Sequence, residues 1–523
     1  MSSVCDIRPS VTPIPLSDAL RGLAVLEWVD APGVPARSVV VGGVTVSTLD
    51  LDPGWLFVAI PGLTQHGIRF ARRAVEEGAV AVLTDEEGAR RVAQEGLAVP
   101  VAVVADPRSA AAVVSATVYG HPADRLRTLA VTGTNGKTTT SYLMRAALGA
   151  AHQDPALCGT VETLIGDLRI LSEHTTNEAP VVQRMLALAE QEGLGAAVIE
   201  TSAHALSLHR VDGVVFDVAG FTNLQHDHLD YYHDMEHYFA AKRLLFTPAH
   251  SRRGVVCVDD QWGRRLAAEA EVPVVTVSAL TDQPADWTVR DTHADRETSR
   301  TVFTLVDPDG RGHAVATPVL GDVNVQNTAV AIVAATVLGL DVDAVIAAVE
   351  RADQVPGRME KVNALPHPAQ PLVVVDYAHT PEGLEWTLRS TRELTRGRIV
   401  LVFGTDGDRD ATKRAPLARI AARLADDLWV TDENPRTEDA ASIRAELLAG
   451  VADVRPDLRG VVEVSTCRRD AVRRAILAAR PGDTVLITGK GAEWYQDIEG
   501  IKHVYNDVPV SREVLDQDPR GRR

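Results

Sequence analysis

The residues with the most chemistry to offer lie in 130–140, AVTGTNGKTTT. Gly133 and Gly136 allow the backbone to turn sharply, so that several N–H groups can face one phosphate chain. Lys137 can reach terminal phosphates, and the Thr138 hydroxyl can ligate the Mg²⁺ that accompanies them. Thr134, Asn135 and Thr139 complete the loop and the first turn after it. The spacing is G-x-x-G-K-T, with Val131 where the general phosphate-loop pattern has a further glycine. Two other clusters follow. Glu200, Thr201, Ser202 and His204 close one apolar run, and Asn223, Asp227, His228 and Asp230 close a second. A carboxylate with an imidazole can hold Mg²⁺, although histidine is a less usual partner for so hard a cation. His204 and His226 read as ordinary polar residues, and Lys242 read alone is a solvated helical lysine.

These groups need elements to aim them. An apolar run, Leu126–Val131, precedes the glycine loop, and SYLMRAALGAA after it reads as a helix whose positive end would face the phosphates. GAAVIE and FDVAGF read as buried strands of a parallel sheet. Ligands of such sheets sit beyond the carboxyl ends of the strands, so both polar clusters are expected to converge on the glycine loop. Before it, SVVVGGVTV, GWLFVAI, AVAVLTD and VPVAVVAD alternate with RFARRAVEEG and EEGARRVAQEG, a small α/β pattern behind a loose lead-in of about 37 residues. After it, residues 278–317 suggest a hairpin extension, and Asn324 and Asn327 precede a long apolar helix as caps or base-binding groups. Beyond the turn VPGRMEKV come four units, PLVVVDYAHTP, RIVLVFGTDGDRDATKR, DDLWVTDENPRTED and GDTVLITGKGAEWYQ. They suit a Rossmann-like domain, but G-x-G-x-x-G is missing after the first strand, which argues against a nicotinamide cofactor. Their loops carry Asp376, His379, Arg409, Lys413, Arg414, Arg436 and Glu493, suited to a zwitterionic or polyanionic molecule.

The expected fold is therefore α/β in three domains: residues 1–124, a small amino-terminal α/β domain; 125–355, a central phosphate-loop ATPase with a mostly parallel sheet; and 356–523, the Rossmann-like domain. A chain of 523 residues with 45% hydrophobic content can bury a core in each. The net charge of −18 argues against nucleic acid or an anionic membrane as partner. Cys5, Cys158, Cys257 and Cys467 are far apart and without metal-type spacing, so reduced thiols are expected. The amino terminus lacks an apolar core of leader length and no later run could span a bilayer, which suits a cytoplasmic location.

GTNGKTTT, ETSAHAL, FTNLQHDHLDYY, AAKRLLF, GDVNVQN, VPGRME, VVDYAHTP, FGTDGDRD, DENPRTED and GKGAEWYQ, in this order, resemble the Mur ligase family, most closely its MurE branch. The resemblance covers residues 40 to 510 or so. It implies an amide ligase: ATP phosphorylates a carboxylate, an amine attacks the acyl phosphate, and the tetrahedral intermediate collapses to amide and phosphate. In this branch the product is the tripeptide made from UDP-N-acetylmuramoyl-L-alanyl-D-glutamate and a diamino acid, a peptidoglycan precursor. The resemblance also implies roles for residues. Lys137, Glu200, His228 and Lys242 are catalytic, with Thr138, Glu200, His228 and a carbamylated Lys242 as Mg²⁺ ligands. Gly133 through Thr139, Asn327, Arg358 and Asp376 hold ATP. Ser47, Thr175, Thr176, Ser202 and Arg210 contact the UDP-linked peptide.

DENPR resembles the D-N-P-R that accompanies meso-diaminopimelate, with Arg436 on the distal carboxylate. Arg414, Glu433, Asn434, Gly489 and Glu493 complete that pocket, and the expected state is a monomer. Four positions depart from the family pattern: Val46-Ser47-Thr48 for D-S-R, Asn177 for a proline, Glu433 for an aspartate and Ala492 for a histidine. The departures fall where substrates bind. A ligase of specialised metabolism with another carboxylate donor, or more remotely a non-catalytic nucleotide-binding regulator, therefore stays open at this level.

Overall fold

The computed structural model describes residues 3–62, 65–152, 154–172, 174–363, 369–518 and 520. The chain is α/β throughout and groups into two compact units, residues 1–288 with 329–348, and residues 289–328 with 349–523.

Besides the two-stranded pair Ile14–Pro15/Val40–Val41, the first unit holds two larger sheets among the described residues. In the smaller one, Val44–Thr45, Leu56–Val58, Ala81–Thr84 and Val101–Val104 run parallel, and Val25–Val29 closes the edge antiparallel to Val101–Val104. The expected loose lead-in is thus partly a strand. Its alternation is weak because Val25–Val29 is an edge strand with no fully buried position. The run SVVVGGVTV is split into Val40–Val41 and Val44–Thr45. Gly43 lies between them because an added Cβ would stand 2.4 Å from the Trp55 ring.

The larger sheet places Ala156–Cys158, Ala196–Glu200, Arg127–Thr132, Val218–Phe221, Gly254–Cys257 and Val274–Ser278 side by side and parallel. Leu129, Ala130, Val131 and residues 196–199 are wholly buried, as strands covered on both faces must be. Register does the positioning. Glu200 pairs with Val131 and Phe221 with Thr132, so three strands end level with the glycine loop. Trp287–Asp295 continues this sheet, and within it the chain passes from the first unit to the second.

The second unit contains the hairpin Arg300–Val306/Gly312–Thr317 and a six-stranded sheet. In that sheet Leu372–Asp376, Thr484–Thr488, Ile399–Phe403, Asp427–Val430 and Val461–Glu463 are parallel, and Glu360–Lys361 is an antiparallel edge. The hairpin is tied to the rest of its unit. Lys361 Nζ donates to Ser299 O at 2.6 Å, Arg300 to Glu350 O at 2.8 Å and Arg296 to Glu393 O at 2.8 Å. The helix Asp322–Val337 starts before both asparagines expected to cap it. Asn324 instead donates to Leu320 O within the first turn, and Asn327 donates to Asn324 Oδ1.

Candidate active site

Gly133 sits at φ +154° and Gly136 at φ +87°, and the helix Lys137–Leu148 begins directly after. Gly133 is required by proximity as well, since a Cβ there would lie 2.0 Å from Thr222 Oγ1. The loop is held in shape from the neighbouring strand end. Thr134 N donates to Asn223 O at 2.9 Å, Asn135 N to Asn223 Oδ1 at 3.0 Å, and Thr222 Oγ1 to Asn135 O at 2.7 Å. Gln225 receives the Asn135 side-chain amide at 2.8 Å. A loop fixed this way spends little free energy on ordering when an anion arrives.

Two lysines converge on one carbonyl. Lys137 Nζ donates to Gly133 O at 3.1 Å and to Thr134 O at 2.9 Å, while Lys242 Nζ donates to the same Gly133 O at 2.7 Å. Lys242 lies on the helix Met235–Arg243 and is 1% exposed, with its ammonium 4.6 Å from the Tyr238 ring centre. Alone on a helix it reads as solvated; tertiary packing buries it. Burial, then repulsion from Lys137, hold its pKa well below the ordinary lysine value.

Glu200 is fully buried, and both of its carboxylate oxygens are engaged. Thr138 Oγ1 and Thr160 Oγ1 donate to Oε2 at 3.1 and 2.8 Å, and Ser141 Oγ and Thr160 N donate to Oε1 at 3.0 and 3.2 Å. Gly159 makes room, since a Cβ there would stand 2.2 Å from Glu200 Oε1. In octahedral Mg²⁺ coordination adjacent oxygens are about 2.9 Å apart, close to the 3.1 Å between Thr138 Oγ1 and Glu200 Oε2. These two hard oxygens fit neighbouring positions on such an ion. His228, at φ +54°, is half exposed, 3.4 Å from Asp227 and against the rings of His204 and Tyr238. Among the described residues no three His, Cys, Asp or Glu side chains are grouped to hold a metal.

The residues expected at the UDP-linked peptide form a network running out from Glu200. Thr176 Oγ1 donates to Glu200 O at 2.7 Å and accepts from Ser202 N at 3.2 Å; Arg210 donates to Thr176 O at 2.9 Å; Thr175 meets Thr160 at 3.1 Å. Arg210 also pairs with Glu178 at 2.7 Å. Ser47 caps the turn Thr48–Asp50 by accepting from Leu49 N. Sequence reasoning alone singles out neither Thr160 nor Ser141. The one available signal is that Thr160 follows a short apolar run, ALC, at the end of a strand beside Glu200.

In the second unit Asp376 ends its strand and accepts from Met359 N, Ala378 N and Thr387 Oγ1 at 2.8–3.0 Å. Arg358 lies over the Tyr377 ring at 4.3 Å, and Asn327 Oδ1 is buried without a hydrogen-bond partner. Asn434, Lys490 and Glu493 form a closed triangle: Lys490 Nζ donates to both others at 2.8 Å, and Asn434 donates to Glu493 at 3.1 Å. Gly489, at φ +109°, is packed against Glu433. Burial, then the neighbouring Asp406, push the Glu433 carboxyl up to about 8. Arg436 takes φ +54° and faces Asp406 and Asp497. Arg414, expected to face the acceptor, is buried and engaged by Glu438 at 2.6 Å and Glu446 at 3.2 Å.

Comparison with known proteins agrees with this anatomy. "Mur ligase family, catalytic domain" matches residues 37–130, "Mur ligase middle domain" residues 131–335 and "Mur ligase, glutamate ligase domain" residues 357–491. The chain is 44% identical to the UDP-N-acetylmuramoyl-L-alanyl-D-glutamate–2,6-diaminopimelate ligase of Streptomyces avermitilis, over 97% of this chain and 98% of that one. It is 45% identical to the UDP-N-acetylmuramyl-tripeptide synthetase of Leifsonia xyli subsp. xyli, over 96% of each. A solved UDP-N-acetylmuramoyl-L-alanyl-D-glutamate–2,6-diaminopimelate ligase superposes with a TM-score of 0.67 at 30% identity, covering 97% of this chain and 99% of that one. With near full-length identity at this level and the phosphate loop, its glutamate and its lysines in place, the chain belongs to the Mur ligase family.

Proposed function

We propose that this protein is an ATP-dependent ligase that joins meso-diaminopimelate to UDP-N-acetylmuramoyl-L-alanyl-D-glutamate in peptidoglycan precursor synthesis. The observation that carries the reading is the 44% identity, over nearly the whole of both chains, to a relative named for that reaction. Geometry supports it, because the groups needed to activate a carboxylate gather at three strand ends. The donor carboxylate attacks the γ-phosphorus of ATP and ADP leaves. The acceptor amine then attacks the acyl carbon, loses a proton, and expels phosphate as the amide forms.

Within this reading Gly133 to Thr139 cradle the phosphates, and Lys137 leaves the loop carbonyls for the γ-phosphoryl oxygens. Thr138, Glu200 and His228 would hold Mg²⁺, which supplies positive charge to the phosphoryl oxygens. A lysine whose pKa is depressed by burial offers a neutral amine to CO₂, forming a carbamate and releasing a proton. Lys242 so modified would give oxygen ligands to a second Mg²⁺. Asn327, Arg358 and Asp376 serve ATP; Ser47, Thr175, Thr176, Ser202 and Arg210 serve the UDP-linked donor; Arg414, Glu433, Asn434, Arg436, Gly489 and Glu493 serve the amino acid. The functional divisions are residues 1–124, 125–355 and 356–523, and the enzyme acts as a cytoplasmic monomer. No helix among the described residues is long and apolar enough to cross a membrane.

The test is direct. The protein is incubated with ATP, Mg²⁺, the UDP-linked dipeptide and meso-diaminopimelate, and the tripeptide is sought by mass. Product is expected, and none with Lys137→Ala. No product from the unaltered chain, with turnover on another acid and amine, would replace this reading with a ligase of other metabolism.

A further inference from the structure

Three buried polar atoms without hydrogen-bond partners belong to Arg436 and the two aspartates it faces: its own Nε, Asp406 Oδ1 and Asp497 Oδ1; a fourth, Glu433 Oε2, belongs to a neighbour of Asp406. Buried polar atoms in folded proteins are almost always satisfied, so one spare guanidinium donor beside the spare oxygens of two aspartates outlines a ligand. The contacts that do exist are loose. Arg436 Nη2 lies 3.4 Å from Asp406 Oδ2, and Nη1 lies 3.7 Å from Asp497 Oδ2. A charge-assisted pair closes to about 2.8 Å, so neither aspartate has closed on the guanidinium. All three side chains keep some solvent contact: 20% for Asp406, 23% for Arg436 and 13% for Asp497. Glu433 is 3% exposed, and its spare oxygen is pressed against Gly489.

A guanidinium fork selects a carboxylate. Two carboxylates beside it select an ammonium. Both on one ligand carbon make an α-amino carboxylate. We propose that Asp406 and Asp497 are specificity-determining residues that hold the ammonium at the far end of the acceptor amino acid, while Arg436 takes the carboxylate on the same carbon. The proposal rests on the functional reading above and adds to it the residues that recognise the second amine. An acceptor with a far ammonium alone meets the uncompensated charge of Arg436. One with a far carboxylate alone meets the two aspartates. Only the zwitterionic end matches all three charges and the spare atoms together.

The full-length enzyme is assayed with ATP, Mg²⁺, the UDP-linked dipeptide and three acceptors. These are meso-diaminopimelate, L-2-aminopimelate, which lacks the far amine, and L-lysine, which lacks the far carboxylate; acceptors too slow to turn over are measured as inhibitors. Asp406→Asn is expected to raise KM for meso-diaminopimelate about tenfold, with kcat within about twofold, and to leave 2-aminopimelate unchanged or bound more tightly. Asp497→Asn should do the same independently, so loss of folding in one variant leaves the other to decide. Arg436→Ala should weaken both dicarboxylates and not lysine. An equal rise of KM for meso-diaminopimelate and 2-aminopimelate in the asparagine variants would overturn the proposal, as would no rise for either. Absence of tripeptide from the unaltered enzyme would instead overturn the functional reading, and the receptor with it.

Discussion

Glu433 offers a measurement of how the acceptor pocket is built. Its carboxyl is buried and raised from an ordinary 4.5 to about 8, by burial first and by Asp406 second. Below pH 8 the folded state therefore holds a proton that the unfolded chain gives up near 4.5. The stability linked to that proton is complete below 4.5, falls as pH rises above it, and is exhausted beyond about 8. Each tenfold difference in proton affinity between folded and unfolded chain is worth about 1.4 kcal/mol, so the whole span is roughly 5 kcal/mol and the part between pH 6 and 9 roughly 3 kcal/mol. Glu433→Gln has the same shape and no titration. Unfolding of both proteins is followed in urea by tryptophan fluorescence at intervals from pH 5 to pH 9. The variant should gain on the parent as pH rises, with a relative gain of roughly 3 kcal/mol between pH 6 and 9. A gap between the two that stays constant across this range would refute the assignment of a protonated, solvent-starved carboxyl.

Other perturbations follow from the same contacts. Thr160→Val removes a 2.8 Å hydrogen bond to Glu200 without changing side-chain size, and kcat should fall by about tenfold or more, the worth of a hydrogen bond to a charged group; an unchanged kcat would show that Glu200 is oriented by Thr138, Ser141 and the Thr160 backbone N–H without the Thr160 hydroxyl. Lys242→Ala should lose nearly all turnover and recover part of it with added short carboxylates, while normal rates without them would remove the carbamate. Arg184, fully buried, donates to Asp50 through both Nη groups, and Arg8 joins Asp50 at 3.0 Å. Arg184→Met leaves that carboxylate in a buried site with only a partly exposed partner, so denaturation should show a loss of about 3–5 kcal/mol; a loss below about 1 kcal/mol would mean that Arg8 suffices.

The nucleotide end is legible in the sequence because its requirements are local. Gly133, Gly136, Lys137 and Thr138 must lie within six residues between a strand and a helix, and Glu200 must end a neighbouring strand. Thr160 is invisible there because it follows a strand of only three residues and acts through a partner 40 positions away. Lys242 looks solvated because a nine-residue helix carries little sign of what it packs against. Arg414 reads as a ligand-facing group, yet the carboxylates that engage it come from the loop and helix beyond it in the chain. Asp406 lies in a loop and Asp497 in the short strand Tyr495–Ile498, far apart in the chain, and only the fold brings them both beside Arg436. The amino-terminal edge strand escapes notice because pairing on one side leaves its residues half wet and its pattern faint.

The way the backbone is shared between the two compact units governs how the molecule can be assembled on the ribosome. The hairpin of residues 300–317 emerges early, yet its tethers, Glu350, Lys361 and Glu393, are translated later. The first unit must likewise wait for residues 329–348, which follow the hairpin. Neither half matures in simple amino-to-carboxyl order, and cutting the gene at residue 288 would strand residues 329–348 of the first unit on the polypeptide that carries the second.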